Sequence, residues 1–472
     1  MQTDILLSEQ QITSLFSNQP HLPPQSFSSF QTLDLSLQAT EILSRQPTLN
    51  IITTGHHSHG KTTLINSLLN CHSSSSSLSS SSSLSFTNIK LFKCFKCPQP
   101  EGYKSFPSST PPSPKCSSCG EPLTLLRHVC FIDSASHEHL MWLILTSTTF
   151  IDGALHLIAV NEPFPQPQSK EQLLALTKIT DIKHIILIQN KMDTNINDEA
   201  SKHQFKQIQT FVSGTTASSA HVVPISAKLK YNIDVVIQLL CHIPQPKRDL
   251  LSPLRCIVIK SNESNVYNTI DNENVNCVIA SAMLLKGVIK LGQVIEVKPG
   301  VITKTQNNEM KVTPIYTHVV SLHSEDNALL YAVSGGLVGI GMKMEQALMK
   351  ADKLNGRVIG LPGKLPDVVV KIVVRCCLLK RLMNVKRKES EESVGEVKLH
   401  EMLLVNVGAC SVGGKVVEMS AENNNEVMFE LSSPICCEIR EKVAVSRKMG
   451  KNIRLIGFGE VLRTVTIDEI DI

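Results

Sequence analysis

Up to residue 48 polar and apolar positions mix without a clear period, and the stretch offers no more than a possible short helix. From Leu49 to about Gln245 the pattern sharpens. Short apolar runs, Leu49 to Thr53, Val129 to Ile132, Ala154 to Val160, His184 to Ile188 and His221 to Ile225, end in small or polar residues and alternate with helical stretches. Runs that stay apolar on both faces predict parallel strands covered on each side by crossover helices. Two stretches interrupt the pattern. One is the serine tract from Ser73 to Ser85, which has too little apolar surface to bury and reads as a flexible linker. The other is the cysteine-bearing insert from Cys94 to Cys119.

After Ile243 to Pro246 the texture changes to short strands punctuated by glycine: Cys256 to Lys260, Val278 to Leu285, Gly287 to Lys290 and Gln293 to Val297. Antiparallel barrels read this way. A break at Leu361 to Pro366 precedes Val368 to Arg375 and further strands, which Lys386 to Glu392, Gly413-Gly414 and Asn423 to Asn425 are expected to separate. A chain of 472 residues exceeds what one core sustains, because cores stop growing near ~250–300 residues. The expected units are an N-terminal extension over 1–48, a first domain over 49–246 and two barrels over 253–361 and 366–472.

Composition narrows the class. Apolar residues make up 42% and charged residues 19%, and no uncharged apolar run approaches the ~18 residues of a membrane span. The first residues lack the basic, apolar, small-residue order of a secretory signal, so a soluble cytoplasmic protein without a membrane partner is expected. Fourteen cysteines in such a chain point to reduced thiols and a metal site rather than a disulfide framework. A net charge of +4 neither requires nor excludes a nucleic-acid partner.

Gly55-His56-His57-Ser58-His59-Gly60-Lys61-Thr62 fits the phosphate-binding P-loop, placed between a strand and the helical stretch that begins at Thr63. Its backbone amides would cradle phosphates, Lys61 would neutralise the β and γ groups, and the Thr62 hydroxyl would ligate Mg²⁺. Asn190-Lys191-Met192-Asp193 and Ser226-Ala227-Lys228 each follow an apolar strand. Read singly, the first is as consistent with a polar turn. Three motifs in order at the carboxyl ends of strands place one ligand at the edge where open α/β sheets bind. Cys94-x-x-Cys97 and Cys116-x-x-Cys119 lie within the ~15–20-residue separation of a four-cysteine zinc site, and four thiolates leave no open position, so a structural Zn²⁺ knuckle over 94–119 is expected. Cys376-Cys377 and Cys436-Cys437 read as core residues.

With these motifs in place the chain resembles the translational GTPases. In that class Asn190 would hold guanine N7, Lys191 would cover the ring, Asp193 would accept from N1 and the exocyclic amine, and the Ser226–Lys228 backbone would meet O6. Asp133-Ser134-Ala135-Ser136-His137 stands where translation factors carry Asp-x-Pro-Gly-His. By that resemblance Asp133 would hold Mg²⁺ through water and His137 would orient the attacking water. Ala135 and Ser136 replace Pro and Gly, and Thr87 stands one place early for the first-switch threonine, before Asn88 and Ile89-Lys90-Leu91.

The run from Asn161 to Glu171 is similar to a segment of the initiation factor 2 gamma family. Leu285 to Lys290, Gly292-Gln293, Lys298 to Gly300 and Gly335 to Gly341 resemble that family's second domain. Leu403 to Val407, Ser411 to Gly414 and Arg454 to Gly459 resemble its third. The resemblance implies an α/β P-loop GTPase domain with a mainly parallel sheet and a zinc-knuckle insert, followed by two antiparallel β-barrels. It implies GTP or GDP as cofactor, alpha and beta subunits as partners, and delivery of methionyl initiator tRNA to the small ribosomal subunit, with GTPase-activating and nucleotide-exchange factors acting on the cycle. A GTP-binding scaffold with impaired hydrolysis and a specialised tRNA-carrying elongation factor are the alternatives. The basic run Lys380 to Lys388 reads as a solvated loop or an RNA contact.

Overall fold

The computed structural model describes residues 4–5, 7–26, 39–69, 84–134, 150–179, 182–194, 198–268, 273–304, 310–344, 352–378, 397–419, 426–449 and 452–467. Ala135, Ser136, His137, the Lys380 to Lys388 run and most of the serine tract lie outside them.

A helix α1 (Glu9–Phe16), capped by Ser8 and Gln11 reciprocally, and a short helix α2 (Thr40–Leu43) precede the first sheet. That sheet follows from the apolar runs. Strands β1 (Leu49–Gly55), β2 (Leu84–Lys93), β3 (Tyr103–Pro107), β4 (Thr124–Ser134), β5 (Gly153–Ala159), β6 (His184–Asn190) and β7 (Val222–Pro224) form seven strands in the order β3-β2-β4-β1-β5-β6-β7. From β4 to β7 neighbours are parallel, while β2 and β3 add an antiparallel edge.

Adjacent residues of β1 feed opposite cores, as a strand's twofold period requires. Ile51 packs with Leu64, Leu155 and Val236 on one face, and Ile52 with Ile132, Leu173 and Ile208 on the other. The helices α3 (Lys61–Leu68), α4 (Pro167–Leu174), α5 (Asp198–Val212) and α6 (Ile233–His242) cover those faces.

The second unit is a ring of antiparallel strands. It comprises β8 (Arg255–Asn268), β9 (Glu273–Lys286), β11 (Val294–Lys304), β12 (Met310–Ser324), β15 (Leu337–Met342) and β16 (Val358–Gly360), closed by pairing of β11 with β12. Two-residue strands β10 (Ile289–Lys290), β13 (Asn327–Ala328) and β14 (Tyr331–Ala332) decorate it. The third is a closed six-stranded barrel, β17-β20-β19-β18-β21-β22, built from β17 (Val368–Leu378), β18 (Met402–Val407), β19 (Cys410–Met419), β20 (Glu426–Cys436), β21 (Lys442–Met449) and β22 (Asn452–Thr466).

Two sequence expectations are corrected here. Gly413-Gly414 does not separate strands but lies inside β19, where a Cβ on Gly414 would come within 2.6 Å of Val405 Cγ2, so a close crossing rather than a turn demands glycine. Cys377 is exposed, because the alternation of β17 buries Cys376 and turns its neighbour outward.

The N-terminal residues are tied to the second unit. The Arg45 guanidinium, fully buried, donates to the carbonyls of Pro23, Leu22 and Ala328 and lies 4.1 Å from the Phe16 ring. The first sheet meets the same unit where the Gly336 amide donates to Asn50 Oδ1 at 2.8 Å and the Asn88 amide to Glu325 Oε1 at 2.8 Å.

Candidate nucleotide site and zinc knuckle

The three sequence motifs converge at the carboxyl ends of β1, β6 and β7. Gly55 and Gly60 adopt φ of +136° and +92°, values that side chains resist. Space is as restrictive as angle: a Cβ at Gly55 would stand 2.4 Å from the Leu157 carbonyl oxygen, and one at Gly60 2.4 Å from Asn190 Nδ2. The helix α3 begins at Lys61, so its unpaired N-terminal amides point into the loop.

Asn190 is the junction. Its Nδ2 donates to the His59 carbonyl at 2.9 Å and its Oδ1 accepts from the Ala227 amide at 3.1 Å, while the Ser226 hydroxyl donates to Asp193 Oδ1 at 2.6 Å. Asn190, Ser226 and Ala227 are buried, whereas Asp193 and Lys228 are exposed and Lys191 is half-buried with φ of +66°. The exposed carboxylate of Asp193 is thus held in place by a buried hydroxyl.

Lys61 Nζ donates to the Gly55 and His56 carbonyls at 3.2 Å each, inside the loop. Burial lowers its pKa, and the Asp133 carboxylate opposes that effect. Thr62 Oγ1 donates to Asp133 Oδ2 at 2.7 Å, and Thr53 Oγ1 reaches Asp133 Oδ1 at 3.0 Å. Hydroxyl and carboxylate oxygens at one point form a hard donor set that fits Mg²⁺. Thr63 is exposed on the first turn of α3, as are His57 and Ser58 on the loop. Thr87 lies within β2, opposite Phe131.

Sequence reading missed the segment beneath the loop. Gln172 of α4, buried, accepts from the Gly55 amide at 2.6 Å. Glu162 approaches His59 Nε2 at 3.2 Å, and Ser169 approaches the buried His156 at 2.7 Å. The only signal was the Asn161 to Glu171 resemblance, since contacts with residues a hundred positions away leave no local pattern.

Cys94, Cys97, Cys116 and Cys119 bring their sulfurs within 4.8 Å of one another. The Cys97–Cys116 separation of 3.8 Å is close to the ~3.8 Å edge of a tetrahedron with Zn–S bonds of ~2.3 Å. Backbone N–H groups favour the thiolate form at two of the four: Cys97 N–H lowers the pKa of Cys94, and Ser118 N–H with Cys119 N–H brings Cys116 to about 6, whereas the neighbouring Cys94 and Cys119 side chains push Cys97 up to about 12. This donor set is compatible with zinc.

Residues 46–298 match the family described as elongation factor Tu GTP binding domain, and residues 370–461 match initiation factor eIF2 gamma, C terminal. The solved structure of translation elongation factor SelB from Methanococcus maripaludis with the GTP analogue GppNHp is similar, with a TM-score of 0.59 and 18% identity over 90% of this chain and 80% of that one. Its apo form gives 0.58 and 18% over 89% and 80%. At that identity the likeness shows a shared fold. Among the described residues no helix is long and apolar enough to cross a membrane. Membership of a GTP-binding family implies GTP or GDP with Mg²⁺, and with more than half of its residues in the first match and a third-unit match to an initiation factor, the chain belongs to the elongation-factor-Tu-type family of translational GTPases.

Proposed function

We propose that this chain is the GTP-binding core subunit of a translation initiation factor 2, carrying methionyl initiator tRNA to the small ribosomal subunit in its GTP form. The observation that carries the reading is the pairing, in one chain, of the GTP-binding match with the eIF2 gamma C-terminal match. In this reading residues 49–246 act as the switch and the units over 253–361 and 366–472 as the carrier surface, with 1–48 as an extension. Gly55 to Thr63 enclose the phosphates, Thr62 and Asp133 hold Mg²⁺, and Asn190, Lys191, Asp193 and Ser226 to Lys228 select guanine. His137 orients the attacking water. Alpha and beta subunits, an activating factor and an exchange factor complete the cytoplasmic cycle.

Filter binding of initiator and elongator tRNAs in the presence of GTP, GDP or ATP tests this. Retention of initiator tRNA with GTP alone is expected, together with its loss in Lys61→Ala and Asp193→Asn. Unchanged retention in both variants, or preference for an elongator tRNA, would overturn the proposal, the latter in favour of a specialised elongation factor.

A second reading, a GTP-binding scaffold with impaired hydrolysis, is favoured by Thr87 standing within β2 and by Ala135 and Ser136 in the sequence. Non-glycine residues resist the peptide flip needed there by about 1 kcal/mol or more. Single-turnover hydrolysis with an activating factor separates the two: a normal stimulated rate removes the scaffold reading.

A further inference from the structure

A second group of metal-type donors stands beside the phosphate loop. A ring nitrogen of His56, a ring nitrogen of His59 and a carboxylate oxygen of Glu162 all lie within 4.8 Å of one another. The His59 side chain is only 1% exposed, and its Nδ1 lies 2.9 Å from the Leu157 carbonyl oxygen. A carbonyl only accepts, so Nδ1 carries the hydrogen and Nε2 is the ring nitrogen left for a metal. That nitrogen faces Glu162 Oε2 at 3.2 Å.

The separations suit a metal ion. Ligands bound at ~2.0–2.1 Å around a tetrahedral centre lie ~3.3 Å apart. Here Oε2 of Glu162 is 3.2 Å from His59 Nε2 and 3.9 Å from His56 Nδ1. The carbonyl contact at Nδ1 of His59 is the outer hydrogen bond that orients a metal-binding imidazole. His56 and Glu162 keep side-chain exposures of 29% and 27%, which leave an approach for the ion. Binding through Nδ1 would replace the 3.1 Å contact of that atom with the His57 carbonyl.

We propose that His56, His59 and Glu162 bind one divalent transition-metal ion of the zinc or cobalt class, at a site separate from the four-cysteine cluster and from the Thr62–Asp133 pair. Two imidazoles and a carboxylate select such an ion over Mg²⁺, which prefers oxygen alone. The bound ion ties the phosphate loop to the segment that follows β5. It adds a tether to the one that the Gly55–Gln172 hydrogen bond supplies.

The test uses the full-length, nucleotide-free protein, first loaded with zinc to fill the cysteine cluster and then titrated with Co²⁺. One further equivalent is expected, with ligand-field absorption and without thiolate-to-cobalt charge transfer. Glu162→Gln and His56→Ala should each weaken it by roughly tenfold or more while the cysteine-bound zinc is retained, which reports an intact fold. Absence of that equivalent in the unaltered protein, or binding equally tight in both variants, overturns the proposal. The titration needs no nucleotide, so its outcome is independent of the GTP reading.

Discussion

Acid should loosen the first sheet through two buried histidines, His128 and His156. Both are fully buried, and burial is the largest cause that lowers the pKa of each to about 3. His128 donates from Nδ1 to the Leu43 carbonyl at 2.9 Å and stands 3.0 Å from the Ser108 hydroxyl, and His156 bridges the hydroxyls of Thr54 at 2.8 Å and Ser169 at 2.7 Å. Both rings are therefore neutral in the folded chain. With folded pKa values depressed from 6.5, their contribution is fully present above that value and is lost as pH falls through it toward about 3, because the unfolded chain takes up the protons. Between about pH 7.5 and about pH 5.5 each ring costs ~1.4 kcal/mol, and the two together ~2.7 kcal/mol, a large fraction of a typical ~5–15 kcal/mol stability. Urea denaturation at several pH values, followed by deuterium pulse labelling of β4 and β5 amides, reads the transition of this sheet. His128→Gln and His156→Asn lower stability at neutral pH, yet each should flatten the pH dependence by ~1.4 kcal/mol over that interval. Curves for the variants that run parallel to the parent curve would refute the reasoning.

Other perturbations have equally definite outcomes. Gly60→Ala places a methyl 2.4 Å from Asn190 Nδ2 at a φ of +92°, so GDP affinity measured with a fluorescent analogue should fall by ~30-fold or more, from ~2–4 kcal/mol of strain and lost hydrogen bonding; wild-type affinity would contradict the packing. Cys97→Ser, or a strong chelator, should release one zinc and expose the Phe92–Leu123 cluster to proteolysis, and an unchanged cleavage pattern would remove the knuckle's structural role. Arg255 bridges the two barrel units by pairing with Glu438 at 2.9 Å and Glu441 at 3.0 Å. Arg255→Ala should therefore destabilise by roughly 2–3 kcal/mol in thermal unfolding, less than a deeply buried pair because Glu438 is 41% exposed.

The buried parallel strands and the phosphate loop were legible because their signals are local: apolar runs of strand length, and glycines at positions that their neighbours make compulsory. The antiparallel edge was legible only in part. The apolar positions Ile89 and Leu91 suit a strand, but nothing in the polar half before them shows that β2 begins at Leu84 and pairs back to Ser134. The fold of the N-terminal residues was illegible for a different reason. Phe16 and Ile42 are isolated apolar positions whose partners, Leu330, Tyr331 and Val333, lie some three hundred residues away, so no period reveals them. Gly413-Gly414 misled in the opposite sense, since a glycine required by a close crossing looks in sequence like one required by a turn.

The segment from Glu162 to Gln172 shows what holds the phosphate loop in shape. Gln172 secures the first glycine through its amide, Glu162 faces the His59 ring, and Ser169 fixes His156, which in turn reaches Thr54 at the end of β1. Asn190 completes the enclosure from the end of β6 through the His59 carbonyl. The loop is thus restrained at Thr54, Gly55 and His59 by groups distant in sequence, while His57 and Ser58 face solvent. Such over-determination explains how Ser58 sustains a φ of +63°, a conformation that costs a non-glycine residue about 1–2 kcal/mol. Substitution at Gln172 or Asn190 removes a restraint that pre-organises the amides, so its effect should appear in nucleotide affinity before it appears in stability.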